Sequence, residues 1–388
     1  MRQMRRFLRQ LVGVSLGTAL VVTGCSRAGQ PQQAQAPEPG LVAALPSERD
    51  MINHGLAYLR AHQAEDGAFR SGEPNLPVDL GVTGLAIQAM ATAPQGSGKP
   101  GDEPAISKAV GFLLAHQEAE GGIRGDTLAT YTSSIAIVAL EALHDPKYKD
   151  NIDRAVAYVK KQQCSGYTGP DSYKNGGFGY GSTDRPDLSN TQVAMDAFEA
   201  AGLSKDDPAY KEVVVFLSRC QNNSETNDQA FAGTDGGSVY NPVDSKAGKY
   251  TKEDGSQGWR SYGSMTYALL KSMLYANLSK DDPRVAAAVG WIKKNYTLDE
   301  NPGLGKQGLY YYYHTFAKAM AAYGQETITD DQGKQHAWRS DLIAKLASLQ
   351  KPDGSWVNEA DKWHEGDPVL VTCFAVLALE EATPKSTP

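Results

Sequence analysis

Two patterns of apolar positions alternate along residues 49–384, and each recurs six times. In the first, apolar residues form a stripe opposed by charge, as in 151–163 with Lys160 and Lys161. This pattern predicts an amphipathic surface helix. The second is apolar on most faces, over roughly 78–92, 127–143, 189–201, 260–277, 309–322 and 368–382. A helix apolar nearly all round must be buried. A glycine-containing turn separates the members of each pair, so the chain reads as six helical hairpins.

The spacing inside the copies makes them one repeat. Ala57-Tyr58-Leu59 leads to Gln63, Asp66-Gly67 and Phe69, and Gly111-Phe112-Leu113 leads to Gln117, Gly121-Gly122 and Ile123. The third copy runs from Ala157-Tyr158-Val159 to Gln163, with Gly176-Gly177-Phe178 displaced by an insertion. The fourth runs from Val215-Phe216-Leu217 to Gln221 and Gly236-Gly237, and a degenerate fifth from Gly290-Trp291-Ile292 to Tyr296. In the sixth, Leu346 to Gln350 precedes Asp353-Gly354-Ser355-Trp356. Each aromatic is expected to pack between helices, and each glutamine to tie its turn to the next repeat. Hairpins that bury their faces only against neighbours are best completed by closure, which predicts an all-α (α/α)6 toroid of two concentric rings.

Composition changes the picture mainly at the amino terminus. Arg2, Arg5, Arg6 and Arg9 precede an apolar run from Leu11 to Val22, a signal-peptide pattern too short to span a bilayer comfortably. Val22-Thr23-Gly24-Cys25 resembles a bacterial lipobox, which implies cleavage after residue 24 and lipidation of Cys25. Residues 25–48, rich in Pro, Gln and Ala, cannot bury enough surface to order themselves and read as a tether. The toroid then occupies 49–384 and a short tail 385–388. The expected location is the periplasmic or outer face of a bacterial membrane. Residues 1–24 hold four arginines and no acids, so the remainder carries 34 basic against 45 acidic residues, a net of −11. Such a surface does not suit nucleic acid. Three cysteines follow Cys25, namely Cys164, Cys220 and Cys373; the first two occupy corresponding repeat ends and are the candidate pair if any bridge forms.

The Gln-x-x-Asp-Gly-x-Phe/Trp unit resembles the repeat of triterpene cyclases and protein prenyltransferase β subunits. In those families the amino ends of the inner helices line a central cavity. The resemblance therefore implies that six helix starts converge here. Asp187, His314 and Asp367 are the candidate catalytic groups. Tyr131, Asn190, Trp259, Arg260, Tyr262, Tyr267, Tyr310 and Tyr313 are the candidate substrate-binding residues. Thr83, Ser133, Ser189 and Thr372 belong to the same segments. Asp79, Asp187 and Asp367 also suit helix N-caps. Four consecutive tyrosines, 310–313, sweep about 300° of a helix, so at least one must face the cavity. The set is aromatic and hydroxylic, which suits an apolar or sugar-like ligand, while inward helix amino ends leave a diphosphate open.

Two departures from the family matter. Squalene-hopene cyclases carry Asp-x-Asp-Asp-Thr, whose middle aspartate protonates an alkene; the similar stretch here is Asp187-Leu188-Ser189-Asn190-Thr191, and a serine hydroxyl is too weak an acid. Prenyltransferases hold zinc through Asp-x-Cys and a Tyr-His-Thr histidine. Tyr313-His314-Thr315 matches the latter, but Ser261-Tyr262-Gly263 offers no partner ligand, so neither a metal nor another cofactor is expected. Asp228, Asp235, Asp244 and Asp254 lack an EF-hand spacing. The long loops 165–186 and 222–258 suit a lid over the cavity. The leading expectation is a protein that binds or transforms an isoprenoid or other lipid-like molecule at a membrane. A non-catalytic ligand- or partner-binding lipoprotein and a carbohydrate-active toroid enzyme are the alternatives.

Overall fold

The computed structural model describes residues 46–70, 74–93, 103–181 and 185–383. The export segment 1–24, Cys25, nearly all of the tether and the tail 385–388 lie outside the described residues. Helices follow in pairs: α1 (Glu48–Ala61) with α2 (Leu76–Thr92), α3 (Pro104–Ala115) with α4 (Ala129–Glu141), and α5 (Lys149–Lys161) with α6 (Leu188–Ala200). The second half continues with α7 (Pro208–Arg219) and α8 (Gly263–Tyr275), α9 (Pro283–Lys294) and α10 (Leu309–Tyr323), then α11 (Trp338–Leu349) and α12 (Pro368–Ala382).

The even-numbered helices pack α2 on α4, α4 on α6, α6 on α8, α8 on α10, α10 on α12, and α12 back on α2. That last contact closes the inner ring of an α/α toroid. Burial follows the sequence pattern: α2 is buried without interruption from Asp79 to Ile87, whereas α5 buries only Ile152, Ala155 and Val159.

The repeated glutamines and glycines form the seams between hairpins. Gln63 donates from Nε2 to its own turn at Gly67 O and to Ala105 O at the start of the next outer helix, at 3.0 and 2.8 Å. Gln117, Gln163 and Gln221 repeat this pair of bonds onto α5, α7 and α9. Gln350 reaches back to Met51 O at 2.9 Å and ties the last outer helix to the first. The fifth copy has no glutamine; there the Tyr296 hydroxyl donates to Asp341 Oδ2 in the first turn of α11 at 3.0 Å. Each seam also pins its inner helix. Thr83, Ser133, Thr191, Thr266 and Thr372 accept the backbone N–H of Phe69, Ile123, Phe178, Ser238 and Trp356. Thr83, Ser133 and Thr372 are therefore structural.

Two short hairpins accompany the helices: β1 (Lys249–Thr251) pairs with β2 (Gln257–Trp259), and β3 (Ile328–Thr329) with β4 (Gln335–His336). One expected helix boundary needs correction. Because β2 consumes residues through Trp259 and Tyr262 is an extended N-cap with φ −150°, α8 starts at Gly263 rather than at residue 260. Cys164, Cys220 and Cys373 are all buried, and no disulfide joins any two of them.

Candidate functional site

The amino ends of the inner helices surround a chamber of about 460 Å³. All six contribute: Val78 and Val82 from α2, Tyr131 from α4, Ser189 from α6, Met265 from α8, Tyr311 from α10, and Leu370 and Phe374 from α12. The connecting segments complete the wall with Tyr180, Tyr240 and Lys246 on one side and Trp363, His364 and Glu365 on the other. The two long loops thus reach the wall through Tyr180, Tyr240 and Lys246. Asn222 knits the longer one, accepting from Gly233 N at 2.9 Å and donating to Trp259 O at 2.8 Å. Its acids are dispersed: Asp228 pairs with Arg219, Asp244 with Lys246, Asp235 accepts from Ser261 Oγ and Asp254 from Ser256.

Several sequence-named residues meet here and others do not. Tyr131 and Tyr262 line the chamber. Asp187 and Asn190 stand directly behind it. Asp187 caps α6, accepting from Asn190 N and Asn190 Nδ2 at 2.8 Å each, and it also accepts from the Tyr240 hydroxyl. Tyr310 and Tyr313 point elsewhere: their rings meet edge-on at 5.5 Å, and the Tyr313 hydroxyl donates to Leu298 O at 2.7 Å, toward the outer ring. Tyr311 is the tyrosine that faces the chamber. Tyr267 packs against Tyr312 and Phe316 between α8 and α10. Trp259 and Arg260 lie on the outer hairpin, under Lys249 and over Tyr250 respectively. Asp367 caps α12 through Val369 N and Leu370 N at 2.8 and 3.3 Å and does not line the chamber.

Glu365 carries no sequence signal, yet it is the carboxylate on the wall. Gly308 leaves α10 without a side-chain cap, and Glu365 supplies one from across the fold, accepting from Tyr310 N at 3.2 Å and Tyr311 N at 2.7 Å. Asn358 Nδ2 adds a third donor at 2.7 Å. Burial nonetheless raises its pKa. Next to it, Trp363 and His364 hold left-handed φ of 60° and 66°, a conformation that costs non-glycine residues about 1–3 kcal/mol each. It turns both side chains onto the chamber mouth.

Below the chamber lies a polar cluster. Tyr131, Tyr311, Leu85 and Phe374 separate it from a recess of about 20 Å³ bordered by Gln192, Asp196, His314 and Lys318. Asp196 pairs with Lys271 at 2.7 Å and with Lys318 at 3.1 Å. Burial opposes the charge on Asp196, but the two ammonium groups outweigh it and hold the carboxyl below its usual range. Burial pulls Lys271 down to about 8. His314 stacks on Phe374 at 5.6 Å, and burial with the two lysines keeps it neutral, its pKa well below the ordinary value. It belongs to this cluster rather than to the chamber wall.

Burial pushes Asp187 up to about 6, against 3.8 for a free aspartate. The folded state thus favours its protonated form. That contribution is complete below the unfolded value and is lost as pH rises through about 6, amounting to about 2–3 kcal/mol between pH 4 and 7.5. Asp187→Asn keeps a good N-cap and removes the titration. Urea unfolding should show the variant gaining about that much relative to wild type between those pH values, in spite of opposite changes from His314. A pH-independent difference would mean that Asp187 titrates as it does in the unfolded chain.

Comparison with known proteins bears on what such a chamber does. Residues 76–240 match the family model of the squalene-hopene cyclase C-terminal domain, and residues 242–381 that of the prenyltransferase α/α-toroid domain. No curated protein matches the chain significantly by sequence. Among solved structures, the apo type II terpene cyclase MstE from Scytonema is similar with a TM-score of 0.54 at 15% identity, covering 86% of this chain and 98% of that one. A variant of that enzyme holding its substrate geranylgeranyl dihydroxybenzoate gives 0.53 at 16% identity, with coverage of 86% and 97%. The α-1,6-mannanase GH76A from Salegentibacter gives 0.57 at 11% identity, covering 87% and 98%. At these identities the likeness is one of fold.

Proposed function

Because the chain belongs to the squalene-cyclase and prenyltransferase α/α-toroid superfamily, we propose that its central chamber binds an isoprenoid or similarly apolar lipid-like molecule. The observation that carries this is the wall itself. Side chains from all six inner helices, rings or aliphatic groups on every one but α6, close on a volume within the roughly 300–1,000 Å³ usual for ligand sites. The terpene cyclase neighbour handles a geranylgeranyl chain, a molecule of that character.

The carbohydrate alternative is weaker. Glycoside hydrolysis needs two carboxyl groups flanking one bond. Among the described residues Glu365 is the one carboxylate lining the chamber, and both it and Asp187 are engaged as helix caps. Ordinary alkene protonation is also disfavoured, because Ser189 stands on the wall where the cyclase family places its acid. This supports a binding role, or chemistry other than protonation-initiated cyclisation.

Native mass spectrometry of detergent-extracted protein should reveal a co-purifying apolar molecule. Burying a large ring contributes about 1–3 kcal/mol, so Tyr311→Ala should weaken farnesol binding about tenfold or more in isothermal titration. Tyr58→Ala, which removes a ring stacked on His62 in the outer helix α1, should lower the melting temperature and spare affinity. Equal affinity of wild type and Tyr311→Ala would defeat the assignment.

The proposal extends to the amino terminus, where Cys25 would carry lipid and hold the toroid at a membrane face. Full-length protein expressed in a bacterium should then partition into detergent, and Cys25→Ala should release it or stall its processing. Unchanged partitioning would remove the anchor.

A further inference from the structure

A line of hydrogen bonds runs from the buried charges to the chamber, and its direction is fixed at the charged end. The Lys271 ammonium offers only donors, so the Gln192 atom that it meets must be the carbonyl oxygen. The amide nitrogen is thereby turned the other way, and Gln192 Nε2 donates to the Tyr311 hydroxyl oxygen at 3.0 Å. The Tyr311 and Ser189 hydroxyls then meet at 2.9 Å, with either able to donate.

Two hydroxyl hydrogens serve that single bond. One O–H is therefore left over in both arrangements, and among the described residues neither hydroxyl has another acceptor. Both residues border the chamber. Water can satisfy the spare hydrogen while the chamber is open, but an apolar ligand that fills it would strand a donor, and a site of this kind rejects molecules lacking the matching group. Behind the donor, Lys271 and Lys318 against Asp196 leave one positive charge in excess, which polarises the line toward an electron-rich partner.

The geometry points to a ligand whose deep end carries a hydrogen-bond-acceptor oxygen, such as an aldehyde, ketone or ether, received by the Ser189–Tyr311 hydroxyl pair on an otherwise apolar skeleton. This rests on the chamber being an apolar-ligand site, and it adds the polarity and the orientation of what enters.

The test compares three compounds of one carbon skeleton on the full-length protein: dansyl-labelled farnesol as fluorescent probe, displaced by farnesal, which has an acceptor oxygen, or by farnesene, which has none. Farnesal should compete about tenfold more tightly than farnesene. Ser189→Ala and Tyr311→Phe should each keep most of that preference, because one hydroxyl remains. The double variant should lose it, binding both compounds within about twofold, because farnesal no longer finds a donor and farnesene no longer strands one. Farnesene affinity in the double variant at or above that of wild type reports that its chamber is still folded, and the wild-type comparison decides the matter even if that variant does not fold. Equal affinity of wild type for farnesal and farnesene overturns the inference and leaves the apolar chamber standing. Failure of the probe and both competitors to bind overturns the chamber assignment and this inference together.

Discussion

Asp196→Ala should cost about 3–5 kcal/mol of folding stability, because it strips the partner from two ammonium groups inside the inner ring. Lys271 is fully buried and Lys318 nearly so, and the carboxylate between them joins α6, α8 and α10. Without it, two like charges share a space that water barely reaches. Burial already depresses Lys271 to about 8, so the variant should relieve itself by losing that proton, and its deficit should shrink between pH 7.5 and 9.5. Replacing the whole triad with Leu and Met should restore most of the loss, since well-packed apolar groups often match a buried ion network. Urea unfolding of the three proteins at the two pH values measures this. A loss below about 1 kcal/mol at pH 7.5, within the range of an exposed pair, would mean that the ammonium groups reach solvent.

This cluster also explains why the centre of the ring was only partly legible in the sequence. Asp196, Lys271 and Lys318 each sit in a helix otherwise apolar on most faces, and no local pattern says that they meet. The ring itself was legible, because the glutamine and glycine spacings are imposed by one geometry repeated at each seam. Where the seam chemistry changes, as at Tyr296, the sequence signal fades although the contact persists through Asp341.

The tyrosine run shows a signal that repeat register contains. Tyr313 occupies the place held in the other copies by Thr83, Ser133, Thr191, Thr266 and Thr372, and like Thr83 it bonds a carbonyl of its own turn. That register assigns Tyr313 to the seam and, two residues back on the opposite face, Tyr311 to the chamber. Period alone could not choose among the four. Glu365, Tyr180, Tyr240 and Trp363 were beyond reach for another reason: they arrive on irregular segments, and Glu365 caps a helix that begins 56 residues earlier in the chain, at Leu309.

The seams have one further mechanical consequence, which Gly176→Ala should expose with a loss of about 3–5 kcal/mol. Gly176 has φ of +87°, and a Cβ there would overlap the Glu212 carbonyl of α7. The left-handed backbone alone costs an alanine about 1–2 kcal/mol. The remainder comes from displacing α7, which would also strain the Gln163 bonds to Gly176 O and Ala209 O at 3.0 Å each. Gly166 is the internal control: its φ of +75° is just as left-handed, but a Cβ there meets nothing within 4 Å. Gly166→Ala should therefore lose only the backbone share, about 1–2 kcal/mol. Thermal and urea melts of the two variants separate backbone strain from seam opening, because both carry the first and only Gly176→Ala carries the second. In a closed ring each hairpin is held by both neighbours, so a single opened seam leaves the chain an open solenoid with two unprotected ends. Equal losses for the two variants would show that the turn is not clamped against α7, and the seam would no longer explain how the ring stays shut.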